Sequence, residues 1–320
     1  MIAGEQALAK RSCMLFSSPD DPVDVWVPEL QRNLPEVEFR VAPELGAAAD
    51  IDYAIVWKPP AGLLANLPNL KVIFSIGAGI DHILADPERP KALPIVRMVD
   101  PYLRDMMCEY ALLGVLHFHR FMPEYQADQQ ARVWQRRWPH YTPEMTVGVL
   151  GLGEIGAKVA ESFRQLGFRV RGWSRGEKRL PGIECFHGRA ALPVMLSACH
   201  YLVCVLPLTG ETAGLLDAAA FAALPRGAVV VSIGRGKHVV EPDLLSALES
   251  GQVGGAFLDV YASEPPQPAH PFWRHPRVIM TPHIAGEIVP KSSAKVVAAN
   301  VRRHLAGEPI AHVVDLARGY

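Results

Sequence analysis

Residues 146–166 read Thr146-Val-Gly-Val-Leu150, then Gly151-Leu152-Gly153-Glu154-Ile155-Gly156, then Ala157-Lys-Val-Ala-Glu-Ser-Phe-Arg-Gln-Leu166. The first segment is a short apolar run, as expected of a strand covered by helices on both faces. The last has the apolar spacing of an amphipathic helix, predicted over Ile155–Leu166. Between them, Gly151 suits a tight turn, Gly153 the close approach of a pyrophosphate, and Gly156 close helix–strand packing. Phosphates would sit on the helix N-terminus, where free N–H groups and the dipole favour anions. A glycine-rich turn without a ligand competes with this reading. The strand before the loop and the helix after it favour a dinucleotide.

The same alternation runs outward from this unit. Toward the C-terminus, strands are expected at Phe168–Trp173, Tyr201–Leu206, Ala228–Ile233, Ala256–Val260 and Val278–Thr281, with helices at Arg189–Ala198 and Pro242–Glu249. Toward the N-terminus, Cys13–Ser17, Phe39–Val41, Tyr53–Trp57, Val72–Ile76 and Ile95–Val99 read as strands. Short helices are expected near Val23–Asn33, Gly62–Leu67 and Asp81–Asp86. One long helix spans Leu103–Gln130, which Pro123 should kink or break, followed by an irregular stretch, Ala131–Pro143. The fold class is α/β, with two Rossmann-like doubly wound parallel-sheet domains. Seams are expected at Asp100-Pro101 and within Ile284–Pro290, before a final helix Lys291–Ala306. At about 100–200 residues per domain, 320 residues fit two.

Composition excludes several classes of function. The formal net charge is -1, and the 32 basic residues are scattered, which argues against a nucleic-acid or anionic-membrane partner. No apolar stretch approaches the ~18 residues of a membrane span. The opening MIAGEQALAKRSCMLF lacks the apolar core of a secretion signal. Five cysteines without a C-x-x-C pair fit a reducing compartment, so a cytoplasmic location is expected. No His/Cys/Asp/Glu spacing suits a metal; His117 and His119, two apart on a helix, point in different directions.

The strand after the glycine loop ends in Trp173-Ser174-Arg175-Gly-Glu-Lys178-Arg179. An acidic residue at that tip would hold ribose hydroxyls and repel a 2′-phosphate. Arg175 can instead grip the phosphate bidentately while Ser174 donates a hydrogen bond, which favours NADPH over NADH. Solvated loop charges are the plainer alternative. Further on, Arg235, Glu264 and His283 each follow a predicted strand. In an open α/β sheet the ligand crevice lies outside the carboxyl ends of the strands, so the three can converge there. Arginine fits a substrate carboxylate, histidine a proton donor near neutrality, and a carboxylate beside it would hold the imidazolium.

Gly151–Gly156, Gly234-Arg235-Gly236, Asp259-Val-Tyr-Ala-Ser-Glu264-Pro265 and Thr281-Pro-His283 together resemble the signature of the D-isomer-specific 2-hydroxyacid dehydrogenases. The resemblance runs over nearly the whole chain. It looks closest to the A-type glyoxylate/hydroxypyruvate reductase branch through Val56-Trp-Lys-Pro-Pro60, Ile76-Gly-Ala-Gly-Ile-Asp81, Gly172-Trp-Ser-Arg175 and the terminal Ala317-Arg-Gly-Tyr320. Lys58 stands where that branch would carry histidine.

The resemblance implies a substrate domain of residues 1–100 plus 286–320 and a dinucleotide domain of 101–285, with the active-site cleft between them. It implies a homodimer joined through helix and loop 103–143. It also implies reduction of a small 2-oxo acid, with Arg235 binding its carboxylate and carbonyl, His283 as the acid/base, and Glu264 paired with His283. Trp57, Gly77, Ala78 and Gly79 would bind substrate. Leu206, Pro207, Thr212, Ile233, Gly234, Asp259 and His283 would line the NADPH site, with Asp259 on the nicotinamide amide; NADH would bind more weakly. The same chemistry on a bulkier 2-oxo acid, or a dinucleotide-sensing corepressor, remain the alternative readings.

Overall fold

The computed structural model describes residues 11–316. They form two compact units, one built from the residues up to Tyr102 and those from Ile288 onward, the other from Leu103–Glu287. Ala317-Arg-Gly-Tyr320, part of the resemblance above, lies outside the described residues.

The first unit contains β1 (Cys13–Ser17), α1 (Val23–Asn33), β2 (Glu38–Val41), β3 (Ile51–Val56), β4 (Val72–Ser75), α2 (Asp81–Leu84) and β5 (Ile95–Val96). Its five strands pair in parallel in the order β2-β1-β3-β4-β5, so the winding reverses between β1 and β3. Successive residues of β1 feed opposite faces. Met14 and Phe16 join Trp26 and Leu30 of α1, while Cys13 and Leu15 pack with Leu64, Leu67 and Ile83. That two-sided burial explains why β1 reads as a continuous apolar run.

Next come α3 (Pro101–His119), α4 (Met122–Ala131), β6 (Thr146–Leu150), α5 (Glu154–Gln165), β7 (Arg169–Ser174), β8 (Glu184–His187), α6 (Leu192–Leu196) and β9 (Tyr201–Cys204). They are followed by α7 (Ala218–Ala223), β10 (Ala228–Ser232), α8 (Glu241–Glu249), β11 (Val253–Leu258) and β12 (Val278–Met280). The seven strands are all parallel, ordered β12-β11-β10-β9-β6-β7-β8. The reversal therefore falls between β6 and β9, and the glycine loop leaves β6 at that point. Val147 and Val149 pack with Val159, Ala160 and Phe163 of α5 and with Ala111 and Val115 of α3. Leu150, Leu202 and Val230 pack with Leu196, Phe221 and Leu244 on the opposite face.

The final helix α9 (Pro290–Leu305) belongs to the first unit. Its Ala294, Val297, Ala298 and Val301 fill the core beside α1. Buried Asp100 ties its start. One carboxylate oxygen accepts from the Tyr102 N–H (2.9 Å) and the Ser292 hydroxyl (2.7 Å), the other from the Ser293 hydroxyl (2.7 Å).

The long helix expected over 103–130 is two helices. α3 ends at His119, and Phe121 takes a left-handed backbone (φ 58°) before α4 begins. Pro123 therefore lies in the first turn of α4, where its missing N–H breaks no helical bond. The helix expected over 189–198 is a single 3-10 turn, Arg189–Ala191, followed by the short α6. Two elements had no expectation. β8 is a half-exposed edge strand without alternation, and α7 is an alanine-rich turn announced by Asp217, whose carboxylate accepts the Ala220 N–H at 2.9 Å.

Asp100→Ala leaves three donors without their acceptor. Its expected cost is about 3 kcal/mol of folding stability, read from the denaturant midpoint at unchanged m-value.

Candidate active site

The glycine loop makes the tight turn at Gly151 and the close packing at Gly156 that its spacing predicts. Gly151 has φ 102°, a conformation side chains rarely adopt, and its N–H donates to Trp173 O at 2.8 Å. A Cβ on Gly156 would stand 1.6 Å from Gly151 O, so helix and loop meet at that residue. Gly153 begins α5 with no side-chain cap, and nothing lies within 4 Å of where its Cβ would be. The result is a twelve-residue helix whose first N–H groups open at the reversal point of the sheet, beside free space. A pyrophosphate fits such a cradle. Leu152 is buried against Gly172, whereas Glu154 is exposed and Ile155 partly so at the start of α5.

At the tip of β7, Trp173 is buried with Nε1 donating to Gly188 O at 2.8 Å. Ser174 is also buried, and its hydroxyl donates to Gly176 O at 2.8 Å. That hydroxyl must rotate to meet any phosphate. Arg175 is exposed, with Nη1 3.7 Å from Glu211 Oε2; such a surface pair is weak enough for a phosphate to replace. Lys178 is exposed beside it, and Glu177 is held by Arg179 at 2.9 Å.

Leu206 and Pro207 follow β9, and Ile233 and Gly234 follow β10. A Cβ on Gly234 would lie 2.8 Å from Leu206 O, so the two strand ends touch. Thr212 is buried with its hydroxyl donating to Pro207 O at 2.8 Å, which folds the loop back on itself. Arg235 comes next, partly buried, with Nη1 on Gly234 O at 2.9 Å. Its turn is set by a residue the sequence reading passed over. Fully buried His238 accepts the Arg235 N–H on Nδ1 (3.2 Å), and its Nε2 reaches Pro207 O (3.2 Å).

Asp259 closes β11 and is 1% exposed. Its carboxylate accepts the Thr281 hydroxyl (2.7 Å), the Ile284 N–H (2.9 Å) and the Ala285 N–H (2.8 Å), while its backbone carbonyl accepts the His283 N–H (2.8 Å). Tyr110 of α3 donates to Thr281 Oγ1, and the Thr281 N–H donates to the Tyr261 hydroxyl at 3.1 Å. Burial pushes the Tyr110 phenol up to about 12, so it stays a donor. Thr281 could have been found from the Thr281-Pro-His283 motif; Tyr110, on a distant helix, carried no local signal.

This loop presents His283 in a left-handed backbone (φ 58°), with Nδ1 2.8 Å from Glu264 Oε2. A carboxylate only accepts, so Nδ1 bears the hydrogen and Nε2 is the atom free to hold or release a proton. The other oxygen of Glu264 accepts the Tyr261 N–H at 3.1 Å. Burial alone would raise the Glu264 carboxyl. The hydrogen bond and charge of His283, the Tyr261 N–H and the Arg235 charge outweigh it and hold the carboxyl below its usual range. Arginine, carboxylate and imidazole thus belong to one electrostatic neighbourhood within one unit.

In the first unit, Trp57 lies over Gly77: a Cβ there would be 2.5 Å from the indole ring. Its ring centroid is 4.3 Å from that of His82. Ala78 and Gly79 are partly exposed after β4, and Gly79 O accepts the Ser75 hydroxyl at 3.0 Å. Lys58 has φ 42° and its ammonium lies 3.1 Å from Asp20 and 5.8 Å from the Trp57 ring centroid.

A dinucleotide cradle and an arginine–glutamate–histidine group on one parallel sheet define an NAD(P)-dependent oxidoreductase. Residues 112–285 match the model of the D-isomer specific 2-hydroxyacid dehydrogenase NAD binding domain. A glyoxylate/hydroxypyruvate reductase A of Serratia proteamaculans is 42% identical over 313 residues, covering 96% of this chain and 99% of the relative. A D-isomer specific 2-hydroxyacid dehydrogenase of Xanthobacter autotrophicus, solved with NADPH and MES, superposes with TM-score 0.94 at 40% identity, over 97% of this chain and 100% of the other. An NADPH-dependent glyoxylate/hydroxypyruvate reductase of Sinorhizobium meliloti, solved with NADP and sulfate, gives TM-score 0.91 at 36% identity, over 97% and 100%. The chain belongs to the D-isomer-specific 2-hydroxyacid dehydrogenase family.

Replacing His283 by Gly, which suits the left-handed backbone and leaves no side-chain donor, removes the two strongest influences that lower the Glu264 carboxyl. Its titration, followed by carboxyl-carbon NMR, is expected to move to higher pH than in the parent protein. No movement would detach the two residues.

Proposed function

We propose that the protein reduces a small 2-oxo acid with NADPH, converting glyoxylate to glycolate and hydroxypyruvate to D-glycerate. The observation that carries this reading is the 2.8 Å pairing of His283 with Glu264 in the unit that bears the dinucleotide cradle. The reductase names of the similar proteins from Serratia and Sinorhizobium support the substrate. The NADPH and NADP in two similar structures, with Arg175 and Ser174 at the tip of β7, support the cofactor.

The start of α5 would hold the cofactor's pyrophosphate, and NADPH, when bound, would supply the hydride that the carbonyl carbon takes up. Protonated His283 gives its Nε2 proton to the carbonyl oxygen, and Glu264 holds the ring through Nδ1 so that Nε2 is the nitrogen left for the substrate. Arg235 holds the substrate carboxylate and offsets charge growing on the oxygen. Gly77, Ala78 and Gly79 offer backbone N–H groups to the carboxylate, and Trp57 walls the site. The first unit serves substrate and the second dinucleotide, with Asp259, Leu206, Pro207, Thr212, Ile233 and Gly234 along the cofactor.

A homodimer through α3, α4 and the loop after them is supported by side chains that a monomer leaves in water: Trp134 is 102% and Trp138 80% exposed. Among the described residues no helix is long and apolar enough to cross a membrane. All five cysteines are free thiols, which favours the cytoplasm.

The test mixes purified protein with NADPH or NADH and follows loss of the reduced cofactor's absorbance on glyoxylate, hydroxypyruvate, pyruvate and phenylpyruvate. Fast NADPH loss on the first two is expected; turnover on phenylpyruvate alone overturns the substrate. Ser174→Ala with Arg175→Leu is expected to raise KM for NADPH by about tenfold or more, the worth of a charge-assisted contact, and to leave that for NADH nearly unchanged. Equal losses for both cofactors would place the 2′-phosphate elsewhere.

A further inference from the structure

Glu264 sits on an exposed turn. From the buried end of β11 the chain passes Asp259 and Tyr261 and then emerges at Ala262, Ser263 and Glu264. The backbone of Tyr261 is packed: a Cβ on Gly236 would lie 1.9 Å from its carbonyl carbon. Beyond it, the bond between the Tyr261 N–H and Glu264 closes the turn on itself but ties it to nothing outside. That tie comes from Glu241, in the first turn of α8, whose Oε1 accepts the Ala262 N–H at 2.9 Å.

Glu241 is itself fixed. Its Oε2 lies 3.3 Å from Nε2 of His270, with side chains only 19% and 22% exposed. The Phe272 N–H donates to His270 Nδ1 at 3.4 Å, which leaves the ring hydrogen on Nε2, facing the carboxylate. Phe272 is a core residue, and its ring meets that of His270 at 4.6 Å between centroids. Beside the turn is a half-open pocket of about 250 Å³, lined by Glu241, Ser263, Pro266, Gln267, Ala269 and His270. The turn therefore has room to retreat once the Glu241 bond is cut. A second carboxylate–histidine pair thus stands behind the one that carries the chemistry.

We infer that Glu241, clamped by His270, is a positioning residue for Glu264: it holds the 261–264 turn so that the Glu264 carboxylate stays on His283. The inference rests on the reading of Glu264 and His283 in the proposed function. A carboxylate in the first turn of α8 also favours the helix dipole, and that purely structural role predicts different results. Glu241→Gln keeps an oxygen for the Ala262 N–H while its NH2 replaces the acceptor that faced His270, and it removes the charge; Glu241→Ala removes the oxygen as well.

The deciding measurement is the titration of the Glu264 carboxyl by NMR, which needs no turnover and so stands or falls apart from the substrate assignment. In Glu241→Ala the midpoint is expected to move up, because the bond to His283 that lowers it loosens; in Glu241→Gln it stays with the parent protein. In the reductase assay, Glu241→Ala is expected to lower kcat about tenfold with KM for the 2-oxo acid within about twofold. In a Glu264→Gln background the same change should alter kcat by less than about twofold, because the two act through one group. A Glu264 midpoint unmoved in Glu241→Ala overturns the inference, and so does an equal loss of kcat in the Glu264→Gln background. Equal loss of thermal stability in both Glu241 variants, with the Glu264 titration unmoved, would leave Glu241 as a helix-end residue only.

Discussion

The carboxylate of Asp259 holds the candidate site in shape. Burying an anion this completely costs several kcal/mol unless its lone pairs are filled. Here the donors are the Thr281 hydroxyl and two backbone N–H groups of residues 284 and 285. The charge is therefore satisfied only when the 281–285 loop wraps around it. That wrapping sets the left-handed backbone of His283 and aims its ring at Glu264. Tyr110 and Tyr261 extend the network into α3 and β11, so the imidazole is mounted on the core of the second unit through hydrogen bonds that cannot be broken one at a time without cost.

Around that anchor, the strand ends divide the labour. β6 delivers the glycine loop, β7 the Ser174–Arg175 tip, β9 and β10 the touching pair Leu206 and Gly234, β10 also Arg235, and β11 Asp259 and Glu264. Parallel strands put all these ends on one edge of the sheet, and the reversal between β6 and β9 opens the crevice there. His238 and Glu241 do a less visible task. Each is a side chain from a neighbouring turn or helix that accepts a backbone N–H and so holds the loop carrying a charged group.

Strands buried on both faces were the most legible part of the sequence, because β1, β6 and β10 are continuous apolar runs with little else they could be. The edge strand β8 was illegible for the opposite reason: half exposed, it needs no apolar pattern. The break at Phe121 was placed two residues late, since proline marks where a helix cannot continue rather than where it stops. In the site, the glycines were legible through their spacing, while Arg235, Glu264 and His283 were legible only as residues that follow strands, their roles coming from the family resemblance. Tyr110, His238 and Glu241 were not legible. Their partners lie 171, 3 and 21 residues away and are met through backbone groups or a single hydroxyl. The Tyr110 and Glu241 contacts exist only once the fold has brought distant segments together, and the His238 bond, though local, is made to a backbone N–H that no side-chain pattern announces.

The return of α9 to the first unit has a consequence for how the chain is made. A ribosome releases residues in order, and the core beside α1 stays open until Ala294, Val297, Ala298 and Val301 have emerged. The second unit, contained wholly within Leu103–Glu287, has all its strands available before that moment. It can close while the first hundred residues still wait with an apolar face uncovered. The unit begun first is completed last, so one apolar face of its sheet stays uncovered until α9 has been made.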